Sequence, residues 1–257
     1  MKHPLRTLLL AVCCGLAAAC TQRQERLKLM SYNIRNGIGI DNIQDIGRIA
    51  RVILREAPDL VALQELDSAT LRVDGRYIPG ELGRMTGMHA TFGRAIGFAG
   101  GSYGIGLLSR TEPLAVRSIP LPGREEARVL LMAEFPDYTV CITHLSLTPE
   151  DRLASLPIIR EATDTCRKPV LLAGDSNTGN AAAVLAGLGG GFRILSDTTR
   201  MTFPSDNPAV RIDYILGRGL PTSATVAESA VDHTATASDH CPLWVTLVWK
   251  RGKQPGK

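Results

Sequence analysis

Polar side chains that can bind metals or move protons stand where apolar runs of this sequence stop. The runs are short, as in "LKLMSYN", "LVALQE", "VCITH" and "LLAGDSN". The residues at or just after these stops are Asn33, Glu65, His144, Asp175, Asn177, Asp213, Asp239 and His240. Because a strand end beside a loop can aim a side chain into a cleft, the repeated pattern indicates an active site.

Each of these residues also fits an ordinary structural role when it is taken alone. Asn33 can cap a turn, Glu65 can be a solvated strand end, and a lone histidine such as His144 is more often a core residue with its hydrogen bonds satisfied. Asp175 belongs to a residue type that is common in turns. Asp213 differs, because an aspartate inside the apolar "RIDYIL" costs free energy unless it is paired.

The elements that would position these residues alternate between strands and helices. Apolar spacing predicts helices at 42–57, 81–87, 149–166 and 179–188, with Pro157 expected to kink or split the third. Strands are predicted at 27–34, 58–66, 88–96, within 97–110, and at 113–120, 127–135, 138–147, 168–178, 210–217, 221–231 and 241–250. Two blocks of strands with helices suggest an α/β sandwich of two mixed sheets covered by helices.

Seven segments together resemble the motifs of the endonuclease/exonuclease/phosphatase superfamily, in that superfamily's order. They are "SYNIRNG", "LVALQELD", "GSYGIGLLSR", "VCITHL", "LLAGDSN", "RIDYIL" and "ASDHCPLW". This superfamily includes DNase I-like nucleases, abasic-site endonucleases, sphingomyelinases and inositol-polyphosphate phosphatases. The resemblance implies a four-layer α/β/β/α sandwich and phosphoester hydrolysis that depends on Mg²⁺ or Mn²⁺.

The resemblance also implies catalytic roles for five of the strand-end residues. His240 would be the general base or a phosphate-contacting imidazole, and Asp213 would bond its other nitrogen. Asp175 would orient or deprotonate the attacking water, and Asn177 would donate to a phosphate oxygen. His144 matches a second histidine of some branches, which stabilises charge or protonates the leaving group.

The metal and phosphate contacts come from the same motifs. Glu65 is the best match to a metal ligand, Asn33 would touch metal or phosphate, and Asp239 would be a supporting or alternative metal carboxylate. Oxygen donors of this kind suit Mg²⁺. Tyr103 and Arg128 are expected to contact phosphate.

Ser176 is the one motif position that departs from the family pattern, which usually has an apolar residue between the aspartate and the asparagine. In an extended segment the middle side chain points away from its neighbours. We expect Ser176 to pack behind the site, where it would loosen the packing or bond the backbone.

The substrate is less sharply indicated. Aromatic residues are 5% of the chain, and without residues 1–19 it carries 27 Lys and Arg against 25 Asp and Glu. This near balance argues mildly against nucleic acid. Candidates for binding a second anionic group of the substrate are Arg72, Arg76 and Arg94, although each is equally well explained as a solvated surface arginine. A secreted or envelope nuclease and a catalytically silent envelope protein remain alternatives to a phosphodiesterase or phosphatase of small or lipid-linked substrates.

The N-terminus predicts export. Residues 1–19 read as a signal peptide that is too short to span a bilayer. Cys20 resembles a bacterial lipidation site, although Ala17 stands where such sites usually have leucine, and free secretion is the rival reading. A tether at 20–26, a domain at 27–250 and a disordered tail at 251–257 complete the organisation.

The partners expected are a phosphate ester and, through the lipid anchor, the membrane of the cell envelope. We expect a monomer. The mature domain has three cysteines, Cys141, Cys166 and Cys241, and an odd number leaves at least one unpaired within the chain.

Overall fold

A computed structural model describes residues 24–250 of the chain. The predicted signal peptide at 1–19, the predicted lipidation residue Cys20 and the predicted tail at 251–257 lie outside the described residues. The end of the predicted tether already belongs to the first strand, which begins at Gln24. No helix among the described residues is long and apolar enough to cross a membrane.

Strands dominate the described part of the chain. They are β1 Gln24–Asn33, β2 Leu60–Ser68, β3 His89–Phe98, β4 Gly101–Ser109, β5 Ala115–Leu121, β6 Arg128–Glu134, β7 Thr139–His144, β8 Val170–Asp175, β9 Arg193–Ile194, β10 Asp213–Arg218, β11 Thr225–Val231 and β12 Leu243–Lys250. The helices are α1 Ile46–Glu56, α2 Ile78–Thr86, α3 Pro149–Asp164 and α4 Ala181–Leu188.

The strands form two six-stranded sheets. The first has the order β11-β12-β1-β2-β4-β3 and the second the order β5-β6-β7-β8-β10-β9. Both are mixed: β1 is parallel to β2 and antiparallel to β12, and β8 is parallel to β7 and antiparallel to β10. The expected sandwich of two mixed sheets flanked by helices is confirmed.

Three apolar layers hold the sandwich together. Leu27 and Leu29 of β1 lie in the core between the sheets, whereas Met30 and Tyr32 pack with α1 and α2 on the outer side. Another core joins the second sheet to α3 and α4. Because side chains alternate across a strand, β1 is buried on both faces, which explains why both odd and even positions of its second half carry apolar residues.

The first helix is shorter than its apolar spacing predicts. It begins at Ile46 because Asp45 caps it, accepting hydrogen bonds from the backbone of Gly47 and Arg48 at 2.8 and 3.3 Å. Ile43, which lies inside the predicted helix at 42–57, precedes the cap and is 60% exposed. The local capping interaction therefore overrides the apolar period at this end.

The predicted split at Pro157 is wrong, because α3 runs unbroken from Pro149 to Asp164. Proline removes the hydrogen bond that would reach the carbonyl of Leu153, four residues earlier. Both Pro157 and Leu153 are exposed, so that carbonyl can bond to water. The helix thus tolerates the proline on its solvent face.

The three cysteines of the described residues are all free. Cys141 and Cys241 are buried, as expected of small core residues on or beside strands, and Cys166 is partly exposed.

Candidate active site

A buried asparagine links the two sheets at one end of the sandwich. Asn33 ends β1 in the first sheet, and Asp175 ends β8 in the second. The Asn33 amide Nδ2 donates to Glu65 Oε1 at 2.9 Å and to Asp175 Oδ2 at 3.2 Å. Three of the predicted residues therefore form one cluster that spans both sheets.

Backbone irregularity aims Glu65 into this cluster. The pairing of β2 with β4 shifts register between Leu63 and Leu66, and Glu65 has a left-handed φ of 57°. A non-glycine residue in this conformation costs free energy. The bulge redirects the carboxylate away from the regular alternation of the strand, toward Asn33.

Glycine is required immediately before Asp175. Gly174 has a φ of 152°, and a Cβ at this position would lie 1.9 Å from the carbonyl oxygen of Thr143 on β7. This close approach lets β7 and β8 bring His144 and Asp175 side by side, because the two residues pair across the parallel strands. The glycine of "LLAGDSN" is thus a packing requirement of the site.

Asn177 forms hydrogen bonds in the turn that follows Asp175. Asp175 Oδ1 accepts from the Asn177 backbone N–H at 2.8 Å, and the Asn177 amide Nδ2 donates to the Leu145 carbonyl at 2.8 Å. One N–H of the Asn177 amide therefore ties two loops together, and its second N–H is the one that could donate to a phosphate oxygen, as predicted.

Ser176 forms hydrogen bonds with the backbone, which is one of the two outcomes expected for this residue. Its side chain is buried, and its hydroxyl lies 2.8 Å from the Ile212 carbonyl and 3.2 Å from the Thr178 carbonyl. The polar residue therefore fastens the turn to the segment that leads into β10.

His240 is held by a buried carboxylate. Its Nδ1 lies 3.0 Å from Asp213 Oδ2, which also accepts from the Thr202 hydroxyl at 2.6 Å. Its Nε2 lies 3.7 Å from Asp175 Oδ2. Burial opposes the charged imidazolium, but the carboxylate of Asp213 outweighs it and raises the pKa of His240 to about 10. His240 is therefore protonated at neutral pH.

His144 lies on the other side of Asp175 and has the opposite protonation state from His240. Its Nε2 lies 3.5 Å from Asp175 Oδ2, and its Nδ1 lies 3.3 Å from Arg128 Nη1. Since a guanidinium can only donate, Nδ1 must be the acceptor and the proton sits on Nε2. Burial and the Arg128 charge hold the pKa of His144 well below 6.5. His144 is therefore neutral.

Asp175 stands between the two imidazoles. Burial first, and the Asp213 carboxylate second, raise the pKa of Asp175 to about 7. A carboxyl group poised near neutrality can exchange a proton with water at physiological pH.

Arg128, which the resemblance predicts to contact phosphate, is buried. It is only 6% exposed, and Nη1 also pairs with Glu126 Oε1 at 2.9 Å. Together with Tyr103 and His144, these residues line a small cavity of about 10 Å³ between the sheets. Burial raises the pKa of Tyr103, so its phenol stays protonated. Arg128 positions His144, and Tyr103 lies beside the cluster.

Asp239 borders the cluster from the loop before β12. Its side chain is partly exposed and lies 3.5 Å from Arg35 Nε. The preceding Ser238 hydroxyl donates to the Asn33 carbonyl at 2.7 Å, which fixes this loop against the end of β1. Asp239 is therefore placed near the expected metal ligands without a direct contact to Glu65.

Two of the three arginines predicted to bind a second anionic group, Arg72 and Arg94, lie farther out. Arg72 pairs with the buried Asp67, with Nε 2.5 Å from Oδ2, and stacks on Phe98 and Tyr103. Arg94 is exposed on β3, where its guanidinium lies beside Gly97. Neither arginine contacts the cluster around Asp175 among residues 24–250.

Sequence reasoning missed several residues of the site. Thr202 contacts Asp213 from a loop that has no regular apolar period. Arg35 lies two residues after Asn33 within "SYNIRNG", and its backbone N–H donates to Asn33 Oδ1 at 3.1 Å. Glu126 precedes Arg128 by two residues, and this charge pattern was the one available signal for it.

The donor chemistry fits a hard divalent cation. Glu65 supplies a carboxylate, and Asp239 supplies another nearby. Asn33 turns its amide nitrogen toward Glu65, and its oxygen Oδ1, which accepts from the Arg35 backbone N–H, keeps a second lone pair for a cation. Mg²⁺ prefers such oxygen ligands and takes few of them from protein. Asp175, Asp213 and His240 also offer ligand atoms within 4.8 Å of one another. The protonated His240 imidazole has no lone pair for a cation, however, so Glu65 with Asn33 Oδ1 is the better pair.

The chain belongs to the Endonuclease/Exonuclease/phosphatase family, whose sequence profile matches residues 30–240. This match runs from within β1 to His240, so it contains every strand end described above. No curated protein sequence matches the chain significantly.

Solved structures share the fold at low sequence identity. An endonuclease/exonuclease/phosphatase from Beutenbergia cavernae is 24% identical with a TM-score of 0.69, over 88% of this chain and 72% of that one. The mannosyl-6-phosphatase Bt3783 of Bacteroides thetaiotaomicron is 19% identical with a TM-score of 0.68, over 86% and 99%. D. rerio TDP2 complexed with a single-strand DNA product is 22% identical with a TM-score of 0.65, over 86% and 98%.

Proposed function

We propose that the protein is an exported, metal-dependent phosphoester hydrolase that acts on a small-molecule or a lipid- or glycan-linked phosphate ester. One observation carries the proposal: the Asp175 carboxylate lies between a neutral and a charged histidine and is joined through Asn33 to Glu65. Phosphoester hydrolysis needs a cation site, a proton acceptor for water and groups that stabilise charge on the phosphoryl oxygens. The cluster offers a residue for each need.

Glu65 and Asn33 would hold the metal, with Asp239 as the supporting carboxylate. Mg²⁺ or Mn²⁺ would supply a Lewis acid that polarises the phosphoryl group. Among the described residues Glu65 has only Asn33 as a hydrogen-bond partner, so one of its oxygens remains for this purpose.

Asp175 serves as the acceptor of the proton from the attacking water. With a pKa of about 7, it is ionised in a large fraction of molecules at neutral pH and is still basic enough to take a proton. The Asn177 backbone N–H and the Asn33 amide hold its two oxygens in place. This arrangement favours Asp175 over His240 as the base.

The two histidines divide the stabilisation of charge. His240 is already protonated, so it contacts the phosphoryl oxygens as a cation rather than as a base. His144 is neutral and presents an N–H at Nε2, which donates a hydrogen bond without adding net charge. Asp213 and Arg128 keep each ring in its protonation state.

A substrate panel with Mg²⁺ and Mn²⁺ tests this function. The panel contains p-nitrophenyl phosphate, its bis ester, sugar phosphates, phospholipid headgroup esters and single- and double-stranded DNA. We expect metal-dependent hydrolysis of small esters, with losses of at least about a hundredfold for Glu65→Ala and His240→Ala. Leu114→Ala is the matched control, because Leu114 is exposed and lies immediately before β5, beside Glu134 at the end of β6 away from Arg128.

Each competing function has its own result in this panel. Preferred cleavage of DNA would favour the nuclease, and no hydrolysis with either metal would favour a silent envelope protein. Activity that survives both Glu65→Ala and His240→Ala would show that the site is misplaced.

Export and anchoring need a separate experiment. We expect the wild type to fractionate with membranes and the Cys20→Ser variant to be released. If the variant still fractionates with membranes, the lipid anchor is refuted while the hydrolase is not.

A further inference from the structure

A second cleft opens beside the catalytic cluster. It has a volume of about 520 Å³ and is lined mainly by Arg72, Phe98, Tyr103, Arg124, Glu125 and Glu126. Tyr103 and Glu126 also line the small cavity that contains Arg128 and His144. The cleft therefore shares a wall with the catalytic histidine, which is where the non-reacting part of a substrate would lie.

Arg72 is fixed in this cleft and its charge is compensated. Nε and Nη2 bind the fully buried Asp67, which leaves Nη1 for a ligand. The guanidinium carbon lies 4.7 Å from the centre of the Phe98 ring and 5.1 Å from that of Tyr103. A rigid donor of this kind loses little freedom when it binds a ligand.

The two glutamates of the cleft differ in whether a carboxylate oxygen is free to accept a hydrogen bond from a ligand. Glu125 is occupied, because it accepts from the hydroxyls of Ser146 and Thr148 and from the Leu147 backbone N–H. Glu126 is partly exposed and pairs with Arg128 through Oε1 alone. Glu126 Oε2 is thus available as an acceptor.

The lining is balanced in charge. It holds two arginines and two glutamates, and each arginine has a further aspartate partner behind it. For Arg124 this is Asp151, with Nη2 2.9 Å from Oδ1. A second phosphate group in this cleft would therefore face the glutamate oxygens, and neither arginine would offer it an uncompensated positive charge. The same balance disfavours a nucleic acid strand, which needs a positively charged groove.

We propose that this cleft binds a neutral, polyhydroxylated ring, such as a sugar or an inositol, that forms the alcohol portion of the substrate. The inference rests on the proposed hydrolase function. Phe98 is 39% exposed and offers an apolar surface for the C–H face of the ring. Glu126 accepts from hydroxyl groups, and Arg72 Nη1 donates to them. The volume lies within the ~300–1,000 Å³ that small-molecule sites occupy.

The first experiment compares two substrates that share a phosphate. One is a hexose 6-phosphate or an inositol monophosphate, and the other is p-nitrophenyl phosphate. We expect Phe98→Ala and Glu126→Gln to lower the ratio of kcat/KM between the polyol ester and the aryl ester by about tenfold or more. Leu114→Ala should leave this ratio unchanged. A ratio that does not move in either cleft variant would overturn the inference.

The second experiment does not depend on turnover. Saturation-transfer NMR and calorimetry measure the binding of uncharged methyl hexosides and myo-inositol to the wild type and to Phe98→Ala. We expect millimolar binding that the substitution abolishes, while unfolding temperature and near-UV circular dichroism stay as in the wild type.

The results separate this inference from the proposed function. Polyol binding that Phe98→Ala abolishes, without any hydrolysis, would support the cleft and refute the hydrolase. Hydrolysis of p-nitrophenyl phosphate without polyol binding or preference would refute the cleft and leave the hydrolase standing. Binding of oligonucleotides in place of polyols would also refute it.

Discussion

Asp213→Asn offers a sharp test of how the site sets the charge of His240. The substitution keeps the shape of the side chain and its bond from Thr202 but removes the negative charge. Burial lowers the pKa of His240, and without the Asp213 carboxylate only the charges of Asp175 and Asp239 still raise it, so the pKa should fall well below its value of about 10. The protonated fraction at pH 8 then drops by about tenfold for each unit that the pKa lies below that pH.

The expected consequence is a loss of kcat/KM that depends on pH. If protonated His240 contacts the phosphoryl group, the loss at pH 8 follows the drop in the protonated fraction and is larger than the loss at pH 6. In the wild type, activity should rise as Asp175 ionises near pH 7 and fall as His240 loses its proton near pH 10. The alkaline limb should move to lower pH in the variant.

An NMR titration of the His240 ring provides a readout that does not need substrate. A ring that still titrates near pH 10 in Asp213→Asn would refute the assigned cause of the shift. An equal loss of activity at pH 6 and pH 8 would refute the role of the charged imidazole. Thermal unfolding of both proteins controls for a general loss of structure.

Three further perturbations act on other parts of the site. Gly174→Ala should destabilise by about 3 kcal/mol or more in denaturant unfolding, because the new Cβ meets the Thr143 carbonyl; a cost under about 1 kcal/mol contradicts this. Since the folded state raises the pKa of Asp175 above 3.8, ionisation costs stability as pH rises toward 7. Asp175→Asn should thus raise Tm by about 5 °C at pH 8 and little at pH 4, while abolishing activity. Glu65→Gln should weaken Mg²⁺ binding about tenfold in calorimetry, and unchanged affinity would remove Glu65 from the metal site.

The apolar runs were sufficient to predict most strands and the residues at their ends. Runs such as "LKLMSYN" and "LLAGDSN" are buried on both faces, so their polar ends stand out in the sequence. The resemblance supplied the order of the motifs and the pairing of Asp213 with His240. These features depend on local composition, which the sequence records directly.

Features that depend on distant partners could not be predicted in this way. Asn33 and Asp175 are 142 residues apart, and nothing in either segment shows that one amide bridges both sheets. The left-handed Glu65 needs the register shift against β4, and the tautomer of His144 needs Arg128. The helix start at Asp45 shows the reverse case, where a local cap defeats a wider apolar period.

The bridge made by Asn33 has a consequence for how activity arises. The proposed proton acceptor, Asp175, belongs to the second sheet and the proposed metal ligand, Glu65, to the first, so under this proposal neither half of the sandwich holds a complete reaction centre. Hydrolysis would then require that the two sheets are packed against each other, so activity would measure their association. A chain cut in the loop at 110–114 should stay silent until its fragments reassociate, which would make this fold a natural split-enzyme reporter.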